Sequence, residues 1–242
     1  MNATPPGQAE RPDPGPIERY ILHERDGVVV INKPAPLPTS GRHLHDDWCA
    51  QSLLIRHFGA MTWAVHQLDT PTTGLNVFVR RRELVPIWQQ RLRYPVARKE
   101  YLAICHGELP EGSTRVDAPL GRLPDGGHGV TPDGKEAVTI VHRLASAGGF
   151  SVARCVLRTG RTHQIRLHLA SLGHPLVGEA RYRGEPCTLL PRHALHAWRL
   201  RMATVDEPRL LVAPVPADLI ALCARLGLPD PRDVLGPEAP TA

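Results

Sequence analysis

The sequence predicts an α+β protein, in which helices are interspersed between the strands of a sheet, and three observations carry this prediction. Short runs of apolar and β-branched residues bounded by turn residues recur along the chain, as at residues 28–32 and 98–106. From Thr162 the apolar residues recur instead at the spacing of one helical face. No internal repeat and no convincing linker divides the chain, so these elements are expected to form a single domain.

The elements follow one another between two proline-rich ends. Residues 1–16 hold almost no bulky apolar side chain and predict a disordered tail, residues 17–227 form the predicted domain, and residues 228–242 form a predicted mobile tail. The predicted strands cover residues 20–24, 28–32, 63–65, 75–79, 98–106, 137–144, 150–157 and 193–202. The predicted helices cover a segment ending at Phe58 and residues 83–92, 162–172 and 216–226.

Turn and capping residues set the predicted element ends. Asp46 or Asp47 can cap the first helix, Thr162 can cap the third, and Gly173 can end the third. Residues 146–149 predict the turn of a hairpin between the strands on either side. Residues 117–135 are rich in glycine and proline, which predicts an irregular excursion between strands.

The composition is that of an ordinary globular protein with a basic balance of charge. The chain has 242 residues, a net charge of +5 and a pI of about 9.2, which favours an anionic partner. Nearly all the positive charge is arginine, because Lys33, Lys99 and Lys135 are the only lysines. Arginine suits phosphate contacts and stacking on bases, and a biased genome composition would produce the same excess.

Cysteine usage and hydropathy indicate the compartment. The 5 cysteines are scattered, odd in number and without C-x-x-C spacing, which argues against a disulfide framework or a zinc site. No apolar run is long enough to span a membrane, and the N-terminus lacks the apolar core of a signal peptide. We therefore expect a soluble cytoplasmic monomer with no membrane or metal partner.

The first candidate site residue is Asp69, which follows a short apolar run and begins a turn. Pro71 fixes its own φ and Gly74 permits backbone conformations closed to other residues, so residues 70–74 predict a tight loop between two strands. A carboxylate on such a loop is held rigidly and suits catalysis. The alternative is an aspartate that only hydrogen-bonds its own turn.

A second candidate stretch begins at Thr159. Arg166 lies in the first turns of the predicted helix, on a face about 100° from Ile165. If this end of the helix faces the Asp69 loop, the guanidinium can pair with the carboxylate and keep it ionised by lowering its pKa.

Together the two stretches resemble the signatures of the RluA-type pseudouridine synthases. The family pattern around its catalytic aspartate is His-Arg-Leu-Asp, two variable residues and Thr-Ser-Gly, and residues 66–74 have H-Q-L-D-T-P-T-T-G. The second signature, T-G-R-T-H-Q-I-R followed by H-L-x-x-L-G-H-P-L-V-G, matches residues 159–178 almost without departure. A weaker K-x-Y-x-A segment matches residues 99–103, and the resemblance covers residues 20–226.

The resemblance implies the pseudouridine synthase fold, a mixed and mostly antiparallel sheet with flanking helices. It implies an enzyme that isomerises uridines in tRNA or rRNA, with RNA as its partner and no metal or organic cofactor. Asp69 corresponds to the catalytic carboxylate, Arg166 to the residue that pairs with it, and Tyr101 to the pocket tyrosine that packs on the uracil ring. The residues carried over as substrate-binding are His66, Gln67, Thr73, Gly74, Arg161, His163, Ile165 and Leu167.

Gln67 is the informative departure from the family pattern, because the family has an arginine that is thought to contact the RNA. Glutamine is neutral and shorter, and it can hydrogen-bond a base edge but cannot pair with phosphate. This departure motivates an alternative, an RNA-binding protein of the same fold that has lost activity. A third hypothesis, a hydrolase that uses two carboxylates, lacks a second acidic residue in either signature.

Two further patterns in the sequence can each be interpreted in more than one way. The densest basic cluster spans residues 80–98 around a predicted helix, and it fits a solvated helix face and an RNA-phosphate contact about equally. The second signature and its surroundings are rich in histidine, which raises the question of a metal site. His163 and His168 are five positions apart and do not share a helical face, so we expect no metal there.

Overall fold

The structure is a computed structural model that describes residues 11–41, 46–94, 97–185, 187–202 and 209–236. Its strands are β1 (Ile21–Arg25), β2 (Val28–Lys33), β3 (Trp63–Ala64), β4 (Thr73–Val79), β5 (Arg98–His106), β6 (Ser113–Asp117), β7 (Leu120–Arg122), β8 (His128–Val130), β9 (Val138–Ala147), β10 (Phe150–Leu157), β11 (Leu195–Met202) and β12 (Arg209–Val212). Its α-helices are α1 (Ala50–Phe58), α2 (Leu84–Arg91), α3 (Gln164–Ser171), α4 (Ala217–Arg225) and α5 (Pro231–Leu235), and a 3₁₀ turn at Ile17–Tyr20 precedes β1.

Ten of the strands in these ranges form one sheet. Its order is β1-β2-β4-β11-β5-β10-β9-β6, with β3 added to β4 and β12 added to β11, while β7 and β8 form a separate pair. Neighbouring strands are antiparallel except β4 and β11, which run parallel with Thr73 opposite His196 and Gly74 opposite Ala197. The expected α+β class, with a mixed and mostly antiparallel sheet, is confirmed.

Both faces of the sheet are buried, because its central strands send apolar side chains in both directions. On β5, Tyr101 and Ala103 point into one core while Leu102 and Ile104 point into another. Strand side chains alternate between faces, so such a strand needs cover on each side. Helices α2 and α3 supply the first core through residues such as Trp88 and Leu169, and α4 and α5 supply the second through Leu222 and Leu235.

The first helix forms as expected, but the expected cap is wrong. Helix α1 begins at Ala50, and the N-cap is Cys49, whose Sγ accepts a hydrogen bond from the Ser52 amide at 3.4 Å. Asp46 and Asp47 lie ahead of this turn. A cysteine sulfur is a weak acceptor, so a search for the usual Ser, Thr, Asp or Asn caps misplaces the start of the helix.

The segment expected to be an irregular excursion, residues 117–135, holds a small hairpin instead. Strands β7 and β8 pair antiparallel with Leu120 opposite Val130 and Gly121 opposite Gly129. Each strand has three residues, too few to show an alternating pattern. Strands β6 and β12 were also absent from the sequence prediction, and both are short strands with little apolar alternation.

The C-terminal segment expected to be a mobile tail is folded as far as it is described. Helix α5 begins after Asp230, whose carboxylate accepts from the Arg232 amide at 2.9 Å, and Leu228 and Leu235 are buried in the core. The prediction of a tail is therefore wrong for residues 228–236. Residues 1–10 and 237–242, which complete the two predicted tails, lie outside the described residues.

Of the helices in the described ranges, none combines the length and the apolar character needed to cross a membrane.

Candidate active site

Asp69 lies on the loop that joins β3 to β4, immediately ahead of the strand that pairs in parallel with β11. The turn is closed by main-chain atoms, because the Thr72 amide donates to the Asp69 carbonyl oxygen at 2.9 Å. The carboxylate points instead at α3, and the side chain is 24% exposed. The alternative in which Asp69 serves only its own turn does not describe this geometry.

Arg166 meets this carboxylate from the first turns of α3. Its Nη1 donates to Asp69 Oδ2 at 2.9 Å, so the contact expected from the sequence is present. Its Nε and Nη2 donate to the two carboxylate oxygens of Glu179, at 2.8 and 2.7 Å. One guanidinium therefore joins two carboxylates, one at the surface of a cleft and one fully enclosed.

The charges of this group stabilise one another against burial. Burial alone lowers the pKa of Arg166, but the hydrogen bonds and charges of Glu179 and Asp69 outweigh it and raise that pKa overall. Burial alone raises the pKa of Glu179, and Arg166 outweighs it in the opposite direction. Arg166 and Glu179 are therefore an ionised pair at neutral pH.

Lys33 contacts the main chain of the Asp69 loop and is completely buried at the end of β2. Its Nζ donates to the carbonyl oxygens of Leu37, Pro34 and Thr70, at 2.6, 3.1 and 3.2 Å. Desolvation, assisted by the charge of Arg192, lowers the pKa of Lys33 to about 7. Because Thr70 follows Asp69 directly, this amine fixes the main chain at the base of the carboxylate.

The far end of the loop is fixed by contacts with the chain around β11. Thr72 Oγ1 lies 2.7 Å from His193 Nε2, and Thr73 Oγ1 lies 2.9 Å from His196 Nδ1. Gly74 has a φ of +107°, and a Cβ at this position would stand 2.7 Å from the main-chain nitrogen of Ala197. Only glycine fits both the conformation and the close approach of the two strands.

A cleft opens beside Asp69 between the β3–β4 loop and α3. The predicted site residues that line it with Asp69 are Gln67, Tyr101, Arg161, His163, Ile165 and Arg166. Leu68, Thr72, Leu157, Gln164 and Leu195 complete the lining. The cleft thus combines apolar side chains with a few charged groups, as a site for a planar ligand with a few polar atoms requires.

A family model described as RNA pseudouridylate synthase matches residues 27–171. This match covers the Asp69 loop, Tyr101 and the α3 residues up to Ser171. The chain belongs to the RNA pseudouridylate synthase family.

Curated relatives in the family agree with this placement. The chain is 36% identical over 219 residues to an uncharacterized RNA pseudouridine synthase, YhcT, of Bacillus subtilis, covering 85% of this chain and 72% of the relative. It is 35% identical over 225 residues to ribosomal large subunit pseudouridine synthase D of Nitrosomonas europaea, covering 85% of this chain and 64% of that relative. Family membership confirms the expected enzyme class, an isomerase that acts on RNA.

Two solved structures of human family proteins share the fold. Human RNA pseudouridylate synthase domain containing 4 superposes with a TM-score of 0.72 at 25% identity, covering 87% of this chain and 94% of that chain. Human RNA pseudouridylate synthase domain containing 1 superposes with a TM-score of 0.69 at 25% identity, covering 87% of this chain and 90% of that chain. The expected pseudouridine synthase fold is confirmed.

Four residues expected to bind substrate in this family member lie elsewhere. Thr73 and Gly74 are buried in the β4–β11 junction, and Leu167 packs with Leu120 and Ala137 on the other side of α3. His66 Nε2 accepts from the Val77 amide at 3.3 Å, and burial, assisted by the charge of Lys99, lowers its pKa to about 4. These four residues are not in the lining of the cleft, and their role in substrate binding stays a prediction.

Tyr101 projects from β5 into the cleft and is 8% exposed. Burial raises the pKa of its phenol, and the nearby charge of Asp69 raises it further. The hydroxyl is therefore protonated at neutral pH. This suits a ring that packs on a bound base and donates a hydrogen bond, rather than one that removes a proton as a phenolate.

The structure adds two residues that the sequence reasoning missed. Glu179 directly follows Gly178, the last position of the second signature, so its place beside the motif was the only available signal. Tyr182 Oη lies 2.6 Å from His163 Nδ1, and the Arg166 guanidinium lies 5.0 Å from the centre of its ring. Glu179 is linked to Asp69 through Arg166, and Tyr182 is linked to Asp69 through His163.

Glu179 also bears on the hydrolase hypothesis, because it is a second acid near Asp69. Its side chain is 0% exposed and both of its oxygens accept from Arg166. A carboxylate enclosed in this way cannot reach a substrate in the cleft. The second carboxylate therefore belongs to the support of Arg166 and does not supply the acid–base partner that a glycoside hydrolase needs.

The histidines around α3 have protein partners. His168 is buried, with Nδ1 2.9 Å from Thr139 Oγ1 and Nε2 3.0 Å from the Ala118 carbonyl oxygen. His174 Nδ1 lies 3.0 Å from the His106 carbonyl oxygen. Across the described ranges, no three His, Cys, Asp or Glu side chains come together in a way that could hold a metal ion.

Proposed function

We propose that the protein converts uridine to pseudouridine within an RNA, with Asp69 as the reacting carboxylate. The observation that carries this proposal is the 2.9 Å contact between Asp69 Oδ2 and Arg166 Nη1 in a cleft that Tyr101 also lines. Arg166 holds one carboxylate oxygen of Asp69, and the buried Glu179 keeps Arg166 in place. An oriented carboxylate in a partly dry cleft suits covalent or electrostatic catalysis.

The net reaction moves one bond and one proton. The bond from ribose carbon 1′ to uracil N1 breaks, a bond from carbon 1′ to carbon 5 forms, carbon 5 loses its proton, and N1 gains one. The base must leave the RNA stack to enter the cleft, where Tyr101 and Ile165 offer surfaces for its faces. Asp69 lines the same cleft, where it would meet the sugar or the detached base.

Charge and relatives support RNA as the substrate. The net charge of +5 favours a polyanion, Arg161 lines the cleft, and Arg181 lines a larger cavity that adjoins it at Asp69. We propose a uridine of ribosomal or transfer RNA as the target. The Nitrosomonas europaea relative is a ribosomal large subunit pseudouridine synthase D, which supports the ribosomal choice. We also propose that the reaction takes place in the cytoplasm, where these RNAs are available.

Gln67 motivates the competing function, an RNA-binding protein without activity. Its side chain is exposed at the rim, where Oε1 accepts a hydrogen bond from Ser40 Oγ at 3.2 Å. It makes no contact in the chain of hydrogen bonds from Asp69 through Arg166 to Glu179. The substitution therefore leaves the proposed chemical groups together and changes a position that touches the approaching RNA.

Release of tritium from RNA labelled at carbon 5 of uridine tests the proposal. The wild-type protein should release tritium from ribosomal or transfer RNA transcripts, and Asp69→Asn, which keeps the shape and removes the charge, should release none. Asp133→Asn, at an exposed position, is the matched control and should behave as wild type. A wild-type protein that binds these transcripts and releases no tritium would establish the inactive RNA-binding protein instead.

Mapping pseudouridines identifies the target. RNA from cells with and without the protein should differ at one or a few uridines, and restoring the Asp69→Asn variant should not restore them. A difference confined to ribosomal RNA or to transfer RNA decides between the two proposed substrates.

A further inference from the structure

One feature of the cleft is left unexplained by the proposed reaction: the second oxygen of Asp69 faces a histidine, not Arg166. His163 Nε2 lies 3.6 Å from Asp69 Oδ1, on the side opposite the Arg166 contact. His163 lines the cleft and its side chain is 18% exposed. The other ring nitrogen, Nδ1, lies 2.6 Å from Tyr182 Oη. A histidine thus stands between a phenol and the reacting carboxylate.

The local backbone is arranged to present this ring to the cleft. His163 has a φ of +55°, in the left-handed region that residues other than glycine seldom adopt. It occupies the N-cap position of α3 but caps nothing with its side chain. Gln164 closes the turn instead, since its Oε1 accepts from the Arg161 amide at 3.0 Å and from Thr159 Oγ1 at 2.8 Å. Such backbone strain persists where the surroundings require it, and it is common at functional sites.

The hydrogen bond to Tyr182 decides which nitrogen of His163 carries the proton. Burial raises the pKa of the Tyr182 phenol, so the hydroxyl keeps its proton at neutral pH. When it donates to Nδ1, the ring proton lies on Nε2 and points to Asp69 Oδ1. The other tautomer would turn a nitrogen lone pair toward a carboxylate, which is repulsive.

Tyr182 is itself held in position. The guanidinium carbons of Arg166 and Arg181 lie 5.0 and 5.7 Å from the centre of its ring, within the range of cation–π contacts. Arg166 therefore touches both the carboxylate and the tyrosine. Arg166 therefore acts on Asp69 both directly and through the contacts of Tyr182 and His163.

We propose that Tyr182 and His163 form a positioning pair for Asp69, in which the phenol fixes the Nε2–H tautomer of His163 and that N–H holds Oδ1 while Arg166 holds Oδ2. The inference rests on the proposed function, because it assigns the pair to the orientation of the reacting carboxylate. At 3.6 Å, Nε2 and Oδ1 are in electrostatic contact, slightly farther apart than in a hydrogen bond. The alternative to be tested is that His163 contacts the substrate, as the family resemblance implies.

The pair also confers a dependence on pH. The titratable and charged groups around His163 come from four parts of the chain. They are Asp69 on the β3–β4 loop, Arg166 on α3, His128 on β8, and Arg181 and Tyr182 in the segment after Gly178. Desolvation lowers the pKa of His163, Asp69 opposes this, and Arg166, His128 and Arg181 add to it. The ring is neutral at pH 7 and gains a proton only on acidification. A protonated ring forms a charged pair with Asp69, which lowers the reactivity of the carboxylate.

Three variants separate positioning from structure. His163→Asn tolerates the left-handed backbone but is too short to reach Asp69, and His163→Gln places an amide N–H that cannot titrate near the position of Nε2. Tyr182→Phe removes only the hydroxyl. Tyr94→Phe and His57→Gln, at positions away from the cleft, are the matched controls.

The expected result is a loss in kcat without a loss in RNA binding. For His163→Asn we expect kcat to fall on the order of 100-fold, the cost of a misplaced reacting group, with KM within about twofold of wild type. His163→Gln should recover part of this loss and lack the decline of the wild-type rate at acid pH, and Tyr182→Phe should lose kcat as well. An unchanged kcat in His163→Asn, a loss confined to KM, or the same acid limb in His163→Gln would overturn the inference.

A measurement without RNA keeps this inference separate from the proposed function. Two-bond ¹H–¹⁵N correlation spectra of the histidine rings should show His163, assigned by its absence in His163→Gln, as the Nε2–H tautomer in wild type and as a mixture in Tyr182→Phe. A wild-type Nδ1–H tautomer would refute the pair whether or not the protein is active. A wild-type protein that releases no tritium would refute the proposed function, and the spectra would still decide the tautomer.

Discussion

Arg166 and Glu179 are joined by two nearly parallel hydrogen bonds of 2.8 and 2.7 Å, which leave Nη1 of the same guanidinium to reach Asp69 at 2.9 Å. The guanidinium is planar, so fixing two of its nitrogens on Glu179 fixes the direction of the third. The orientation of the reacting carboxylate is therefore set in part by a buried residue that never faces the cleft.

Arg166→Ala should impair catalysis more than RNA binding. Removal of the guanidinium takes away a preorganised charge that acts on the reacting group, and we expect kcat to fall by about 100- to 1,000-fold. RNA affinity should change by about twofold, because Arg166 is 8% exposed and offers little surface to phosphate. Tritium release and filter binding measure the two quantities.

Two further variants complete this test. Arg166→Lys keeps a positive charge and lacks the fork, so it should fold and show a similar loss of kcat if geometry matters. Arg93→Ala, at an exposed position of the basic cluster, should weaken RNA binding with kcat unchanged if that cluster contacts phosphate. Equal losses of kcat and affinity in Arg166→Ala would show that Arg166 is a phosphate contact.

Glu179→Gln should change how stability depends on pH. Arg166 holds the folded-state pKa of Glu179 below its ordinary value of 4.5, although burial alone would raise it. A carboxyl with a lowered folded-state pKa contributes stability that is complete above the unfolded-state pKa and is lost as pH falls through the folded-state value. Below pH 4.5 the wild-type free energy of unfolding should therefore fall more steeply than that of the variant.

Denaturant unfolding between pH 3 and 7 measures this difference. At pH 7 the variant should be less stable by about 2 kcal/mol, the usual contribution of hydrogen bonds to a charged group. Glu111→Gln, which removes an exposed carboxylate paired with Arg143, should follow the wild-type curve. Parallel curves for wild type and Glu179→Gln would contradict the ionised state of Glu179 in the folded protein.

Lys33→Met should loosen the Asp69 loop and remove a second pH dependence. The variant fills the same volume but leaves the carbonyl oxygens of Leu37, Pro34 and Thr70 without their donor, so kcat should fall as Asp69 loses its fixed position. Lys33 has a folded-state pKa of about 7 and an ordinary value of 10.5. Between these values the unfolded chain binds one more proton, so wild-type stability should gain from this group as pH rises.

The matched control is Lys135→Met, because Lys135 is exposed. Unfolding experiments from pH 7 to 10 should show a flatter curve for Lys33→Met than for wild type or Lys135→Met. A curve for Lys33→Met that rises as steeply as wild type would mean that Lys33 keeps its proton in the folded protein throughout this range.

The long strands could be predicted from the sequence because they are buried along most of their length. Strand β5 has the predicted bounds, residues 98–106, and β10 has the predicted bounds, residues 150–157. Apolar residues make up most of each strand's buried part, and turn residues follow each strand. Strands β7 and β8 have three residues each, and they pair with Gly121 opposite Gly129, without an apolar pattern that the sequence could reveal.

The residues of the candidate site also differ in how far the sequence could predict their roles. Asp69 and Arg166 could be predicted as partners because each lies in a recognisable signature. Glu179 and Tyr182 could not be given roles, since those depend on the chain turning back along α3 after Gly178. The expected cap of α3, Thr162, is also wrong, because the Gln164 side chain closes the turn by accepting from the Arg161 amide three residues before it.

Gly74→Ala tests whether the junction between β4 and β11 determines the position of the Asp69 loop. The added Cβ would lie 2.7 Å from the main-chain nitrogen of Ala197, and φ at this residue is +107°. Neither strand can move without breaking the parallel pairing of Thr73 with His196. We expect a loss of about 4 kcal/mol or more in the free energy of unfolding, or no folded protein, because strain and a main-chain clash act together.

Gly59→Ala is the matched control for this variant, since Gly59 has a φ of +62° and nothing lies within 4 Å of an added Cβ. It should cost only the strain of a left-handed alanine, about 1 kcal/mol, and should leave tritium release unchanged. Thermal and denaturant unfolding of the two variants give the comparison. Similar losses in both would show that backbone strain alone sets the cost at Gly74 and that β4 can move away from β11. In that case the strand junction would not fix Asp69, and the loop would depend on Lys33 and Arg166 for its position.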